Sequence, residues 1–379
     1  MSLKPINIKE IVLRKLNMKL LHPFTTSFGT EFDRYFYLIE VIDKNNISGW
    51  GESVSGNYPG YSPETVETTR HLLEDVLIPL LNEAPIYHPD DVNERFKNIR
   101  GNNMAKASIE GAVWDLFAKQ QGISLAVALG GERSKIEVGI SLGIQENIED
   151  LLKQVDQYVN EGYKRIKIKI QPGQDIDVMR AVRNRFPSIE LMADANSAYT
   201  LDDVETLKKL DELNLMMIEQ PLAYDDIIDH ADLQAQIQTP ICLDESIHSL
   251  EDVKKAIRIN SCKIINLKIG RVGGLTESRK IHDFCLENNI PLWCGGMLEA
   301  GVGRAHNIAI TSLPGFNLPG DTAASSRYWK EDIIDPEVTV TDGYITLTDK
   351  PGIGYEVNRE KVAKYTIDEK RISCISKIK

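Results

Sequence analysis

A chain of 379 residues is too long for one small domain and long enough for a (β/α)8 barrel with a second domain beside it. Its composition, 42% hydrophobic and 26% charged, is that of an ordinary globular protein, and no apolar run reaches the roughly 20 residues of a membrane span. A formal charge of −12 argues against a nucleic-acid partner, because such partners require basic patches that displace counterions.

The five cysteines, Cys242, Cys262, Cys285, Cys294 and Cys374, are odd in number and form no CxxC pair, which predicts free thiols in a reducing cytoplasm. The opening MSLKPINIKEIVLRKL lacks the apolar core of a signal peptide. Residues 1–131 read as an α+β unit. Strands are expected over 11–20, 35–42 and 47–52, the last two joined by a turn at Asp43-Lys44-Asn45-Asn46. Helices are expected over 62–81 (N-cap Ser62, Pro63 at N1), 89–100 and 104–121, the last carrying Ala107, Gly111, Trp114 and Ala118 on an apolar face and stopping at Gly122.

From about residue 136 short apolar strands alternate with amphipathic helices. Strands are expected over 137–143, 165–170, 189–193, 216–219, 239–243, 263–267 and 291–294, with a weaker pattern at 316–318; helices include 147–161, 201–213 and 250–259. Eight βα units over 132–328 predict a closed parallel barrel, a modified TIM barrel. Beyond 329 the rhythm stops. Residues 338–348 read as a hairpin turning at Asp342-Gly343, expected to return with the rest of 329–379 and pack on the N-terminal unit as one α+β capping domain.

The chemistry is written at the strand ends. Lys169, Asp194, Glu219 and Asp244 follow one another at steps of 25 residues, and Lys268 follows 24 later. That step suits one strand, two loops and one helix, so five charged side chains come from the carboxyl ends of five consecutive strands, where barrel enzymes place their active sites. In Arg165-Ile166-Lys167-Ile168-Lys169 the alternation puts the isoleucines on one face and the lysines on the other. On this stretch alone, an edge strand with a solvated lysine face is the alternative to lysines inside a barrel. The carboxylates favour the barrel. Three adjacent acids repel unless a cation lies between them, and an all-oxygen ligand set favours Mg²⁺, with Mn²⁺ as a substitute, over zinc. Asn266 shares a strand face with Lys268. The two lysine strands flank the carboxylate strands, so Lys169 and Lys268 should face opposite sides of the α-carbon of a metal-bound carboxylate substrate. That layout suits proton abstraction by a lysine whose pKa is lowered by the cation.

KIKIK, DANSAY, IEQPL, DES and NLKIGRVGG resemble the barrel motifs of the enolase superfamily, muconate-lactonising subgroup, for which a lysine base with magnesium is established. The stretches Trp293–Glu299, GVGRAHN, Leu318–Asp321, Pro23–Gly29 and Gly49–Glu52 narrow the resemblance to o-succinylbenzoate synthases and N-succinylamino-acid racemases. The resemblance implies that Asp194, Glu219 and Asp244 bind Mg²⁺ and that Lys169 is base and proton donor. Lys268 would be an electrostatic partner in a synthase or the second base in a racemase. Lys167, Asn196, Glu245 and Asn266 would support them. Thr25, Ser27, Phe28, Ser141, Gly296, Met297 and Glu299 would contact substrate, with the loop from Thr25 to Gly29 closing over it.

The implied reaction is dehydration of 2-succinyl-6-hydroxy-2,4-cyclohexadiene-1-carboxylate to o-succinylbenzoate in menaquinone biosynthesis, with racemisation of N-succinylamino acids as the alternative or a second activity. A small-molecule carboxylate substrate and a homo-oligomer are expected, with neither nucleic acid nor membrane as a partner. Cys294, in place of a seventh-strand histidine, counts against the mandelate branch. Asp321-Thr322-Ala323, lacking a second acid, weakens a dipeptide epimerase. A non-catalytic barrel is disfavoured by the intact lysines and acids. Gly270–Gly274 reads as a tight loop rather than a phosphate cradle, the scattered histidines as structural or surface residues, and Trp50 and Trp114 as core.

Overall fold

The computed structural model describes residues 4–27 and 29–374. Strands β1 (Ile8–Thr26), β2 (Gly29–Asp43) and β3 (Ser48–Glu52) form an antiparallel sheet. β1 runs well past the expected residue 20. Its register against β2 shifts between Lys19 and Phe24, so the tip of the β1–β2 hairpin leaves the sheet and reaches the barrel mouth. Asn46, in the predicted turn before β3, takes a left-handed conformation (φ 65°) suited to asparagine.

The helix Asn103–Gln121 lies across β3 and is buried nearly all round, not on one face alone, because the sheet covers one side and the barrel the other. Gly49 and Gly51 permit the approach: a Cβ at either would collide with the carbonyls of Ala112 and Ser108. Of the expected 62–81 helix, only 66–81 forms. Thr65, not Ser62, is its N-cap, in a capping box with Thr68, and a π-helical turn at Leu73–Leu77 interrupts the run. Glu64 is drawn away to receive Met104 N (3.0 Å) and Ala105 N (3.1 Å) at the start of the long helix, which accounts for the later start.

The barrel follows a short strand, β4 (Lys135–Glu137). Its parallel strands are β5 (Ile140–Leu142), β6 (Ile166–Lys169), β7 (Leu191–Asp194), β8 (Ile218–Glu219), β9 (Ile241–Leu243), β10 (Ile264–Leu267) and β11 (Leu292–Cys294), in spatial order. The weak eighth strand does not form. In LPGFNLPG two prolines lack ladder donors, and the segment instead closes the barrel by isolated bridges, Phe316 to Leu292 and Gly320 to Val138. Met192, Met217, Cys242, Ile264 and Trp293 fill the barrel interior.

The C-terminal stretch corrects one expectation. The turn at Asp342-Gly343 packs on Gly162, and the strand after it pairs with β4, at the amino end of the barrel. With Ile334–Asp335 as β12, this strand is β13 (Tyr344–Thr346), followed by β14 (Glu356–Val357) and β15 (Thr366–Ser373). The return to the cap is made by β15, which pairs along β1 from Glu10 to Leu16. A turn sequence specifies a bend, not the surface it meets.

Candidate active site

The inward face of β6 carries Lys167 and Lys169, both buried, while Ile166 and Ile168 pack outward. Register sets Lys169 beside Asp194 and Asp194 beside Glu219. Glu219 is level with Cys242, so Asp244 stands two residues further up. Lys268 follows β10. Three strands separate β6 from β10, so the two lysines sit on opposite walls.

Each carboxylate is held by a neighbouring cation. Lys169 Nζ donates to Asp194 Oδ2 and Asn196 Oδ1, both at 2.6 Å. Lys167 Nζ lies 3.0 Å from Glu219, 3.2 Å from Asp194 and 2.7 Å from Asp321. Asn266 Nδ2 donates to Glu219 Oε1 at 2.6 Å. Asp244 receives Lys268 Nζ at 2.8 Å and Tyr61 Oη at 3.0 Å, and pairs with Arg271. Asn196 Nδ2 donates to Glu245 Oε1 at 2.9 Å.

Electrostatics follow from this crowding. Burial and the charge of Asp194 push Glu219 up; burial also pushes Asp194 up, but Lys169 and Lys167 overrule it and hold it down. Burial and Asp194 raise Glu245 to about 6. Burial pulls Lys268 down, yet Tyr61, Glu219 and Glu245 hold it above the ordinary lysine range.

Among the described residues no three His, Cys, Asp or Glu side chains converge as a preformed metal cage, each triad carboxylate being turned to an ammonium or guanidinium. The donor set nevertheless fits a hard cation. Three carboxylates with 0–1% exposure lie at adjacent strand ends, and Glu245 Oε2 and Asn266 Oδ1 are buried beside them with no hydrogen-bond partner among the described residues.

Above the triad is a cavity of about 390 Å³ between barrel and cap. Lys169, Lys268, Asn196, Gly296 and Met297 line it, as does Leu298, whose backbone is left-handed (φ 57°). Other expected contacts point elsewhere. Ser27 Oγ donates to the carbonyl of Asn196 (3.0 Å), Thr25 Oγ1 lies 2.9 Å from Thr30 Oγ1, Ser141 Oγ donates to Asp321 (3.0 Å), and Glu299 accepts from Asn307 Nδ2 (2.9 Å). Phe28 lies outside the described residues.

Sequence reasoning missed Tyr61 and Arg271. Tyr61 reaches in from a cap loop, and Lys268 Nζ sits 4.4 Å from its ring centroid. Arg271 donates to Tyr61 Oη at 3.0 Å. Its stretch is a buried helical turn, Ile269–Val272, ended by the glycines at 273 and 274. Nothing in the spacing marked Tyr61; the arginine, three residues after Lys268, was the available signal. His306 packs against Gly111, and Trp50 and Trp114 are core, as read.

Residues 8–130 match the family described as mandelate racemase / muconate lactonizing enzyme, N-terminal domain, and residues 150–362 match the enolase C-terminal domain-like family. The chain belongs to the enolase superfamily. An o-succinylbenzoate synthase of Geobacillus stearothermophilus is 60% identical over 361 residues, covering 95% of this chain and 96% of that protein. An N-succinylamino acid racemase of Thermus thermophilus is 45% identical, covering 97% and 100%. A solved enolase superfamily structure from Listeria innocua superposes with a TM-score of 0.95 at 45% identity, covering 97% and 100%. This superfamily membership accounts for the cap over the barrel mouth.

Proposed function

We propose that this protein is an o-succinylbenzoate synthase acting in menaquinone biosynthesis in the cytoplasm, dehydrating 2-succinyl-6-hydroxy-2,4-cyclohexadiene-1-carboxylate with Mg²⁺ as cofactor. The observation that carries the reading is the pair of buried ammonium groups, Lys169 and Lys268, on opposite walls above the acidic triad, in a chain 60% identical to such a synthase.

Asp194, Glu219 and Asp244 would hold the cation, which supplies charge to offset the negative charge that builds on the substrate carboxylate. Lys169, acting as the neutral amine, takes the α-proton and then, as the ammonium so formed, returns it to the departing hydroxyl, so that water leaves and the ring becomes aromatic. Lys268 places positive charge on the other face. Asn196 and Asp194 fix the position of Lys169 Nζ, and the cap excludes water. Racemisation of N-succinylamino acids is a second activity of the same site, because two opposed lysines serve both faces of one α-carbon.

Conversion of the cyclohexadiene substrate to o-succinylbenzoate, followed by absorbance, tests the reading. Activity should vanish in EDTA and return with Mg²⁺ or Mn²⁺, but not with Zn²⁺ alone. Full turnover after exhaustive chelation would refute the metal assignment, and absence of product with Mg²⁺ restored would refute the reaction.

A further inference from the structure

Arg34 is an unusual residue for the wall of this cavity. It is only 5% exposed, on β2, and its Nε is buried with no partner among the described residues. Its other nitrogens are engaged: NH2 donates to the carbonyl of Val54 at 3.1 Å, and NH1 donates to Glu31 Oε2 at 3.1 Å. Glu31 is the weaker half of that pair, since its side chain is 42% exposed near the hairpin tip. A guanidinium this buried is costly unless a carboxylate faces it. Among the described residues lining the cavity, the cations are Arg34, Lys169 and Lys268.

We infer that Arg34 anchors the distal carboxylate of the substrate's succinyl arm, and that Glu31 occupies this position until substrate arrives. The inference rests on the function proposed above, whose substrates carry two carboxylates. One lies beside the reacting carbon, at the triad and the two lysines. The other ends a flexible chain and must be placed in a cavity that the cap closes against water. Both lysines are committed to the reacting carbon, which leaves Arg34 as the cation for the second charge. The Glu31 contact shows that the guanidinium accepts a carboxylate in this place. Releasing Glu31 to solvent costs little, because a half-exposed pair is weak, whereas the incoming carboxylate is shielded from water and bound more strongly. Arg34 thereby selects succinylated over uncharged acyl groups.

The test compares racemisation of N-succinyl- and N-acetylphenylalanine by the Mg²⁺-loaded enzyme and by Arg34→Gln, Arg34→Lys and Glu31→Gln. Arg34→Gln should lower the succinyl-over-acetyl preference in kcat/KM by about 10- to 100-fold, chiefly through KM, the range expected for a lost charged hydrogen bond. Arg34→Lys should restore part of it, and Glu31→Gln should lower KM for the succinyl substrate. Calorimetric binding of o-succinylbenzoate and of benzoate gives a readout without turnover: Arg34→Gln should weaken the first more than the second. Equal losses for both acyl groups would make Arg34 merely structural, and an unchanged preference would overturn the assignment while leaving the proposed reaction standing. A wild-type enzyme that neither binds o-succinylbenzoate nor prefers the succinyl substrate would overturn the functional reading itself.

Discussion

Lys169 and Lys268 face each other across the mouth of the barrel, each tied to a different acid, Asp194 and Asp244. Each should therefore serve one stereochemical course. In deuterated water, Lys169→Ala should stop α-proton exchange from one enantiomer of an N-succinylamino acid, and Lys268→Ala from the other. Racemisation and synthase turnover should disappear in both. Proton NMR of the α-hydrogen reads the result, and exchange of both enantiomers by one variant would rule out the two-faced arrangement. Tyr61 is a positioning residue in this arrangement: its hydroxyl donates to Asp244 and accepts from Arg271. Tyr61→Phe keeps the ring under Lys268 and removes the hydroxyl, so kcat/KM should fall by about 10-fold or more while the thermal midpoint moves little. An unchanged rate would show that Asp244 is fixed without it.

At the scale of one element, the β1–β2 hairpin ties the cap to the strand ends of the barrel. Its Thr25 carbonyl accepts from Ile144 N at 3.3 Å, and its Ser27 hydroxyl lies on the carbonyl of Asn196, the residue whose side chain holds Lys169. The hairpin can approach because residue 143 is glycine: a Cβ there would lie 2.9 Å from the Thr25 carbonyl. Gly143→Ala should lift the hairpin, raise KM and lower kcat several-fold, with folding intact by circular dichroism. Ser27→Ala should lower kcat more than it raises KM, because it loosens Asn196 without touching substrate. If Ser27→Ala changed KM alone, Ser27 would be a substrate contact after all.

Over the whole molecule, cap and barrel are tied by buried carboxylates at helix starts. Glu52 of β3 receives Ala300 N and Gly303 N, both at 2.8 Å, and Glu110 of the long cap helix receives Leu275 N (2.8 Å) and Thr276 N (2.9 Å). Burial pushes Glu52 up to about 8, against those two donors and with the charges of Glu299 and Asp332 adding to the rise; burial likewise pushes Glu110 to about 7. Unfolded, both would titrate near 4.5. The folded chain therefore binds more protons between those values, and this part of its stability is full below pH 4.5 and falls as pH rises through 7 to 8. Thermal melts should show Tm decreasing between pH 6 and 8.5, and Glu52→Gln with Glu110→Gln should flatten that slope. An equally steep slope in the double variant would place the titration elsewhere.

The sequence by itself determined the barrel and the position of its acids and lysines, because a repeated step of 25 residues and a two-residue alternation are local properties that a parallel barrel converts directly into common height and common direction. It also carried Asn196, Glu245 and Asn266, which sit on or beside the same strand ends. Tertiary structure alone decided the rest. Tyr61 and Arg34 come from cap segments far from the barrel strands in sequence, and no periodicity links them to Asp244 or the cavity. The hydroxyls of Ser27 and Ser141 point to a backbone carbonyl and to Asp321, since side-chain direction follows from neighbours that the chain brings together only on folding. The 338–348 turn met the barrel rather than the cap for the same reason: a strand's partner is chosen by the edge left free, and β4 offered one.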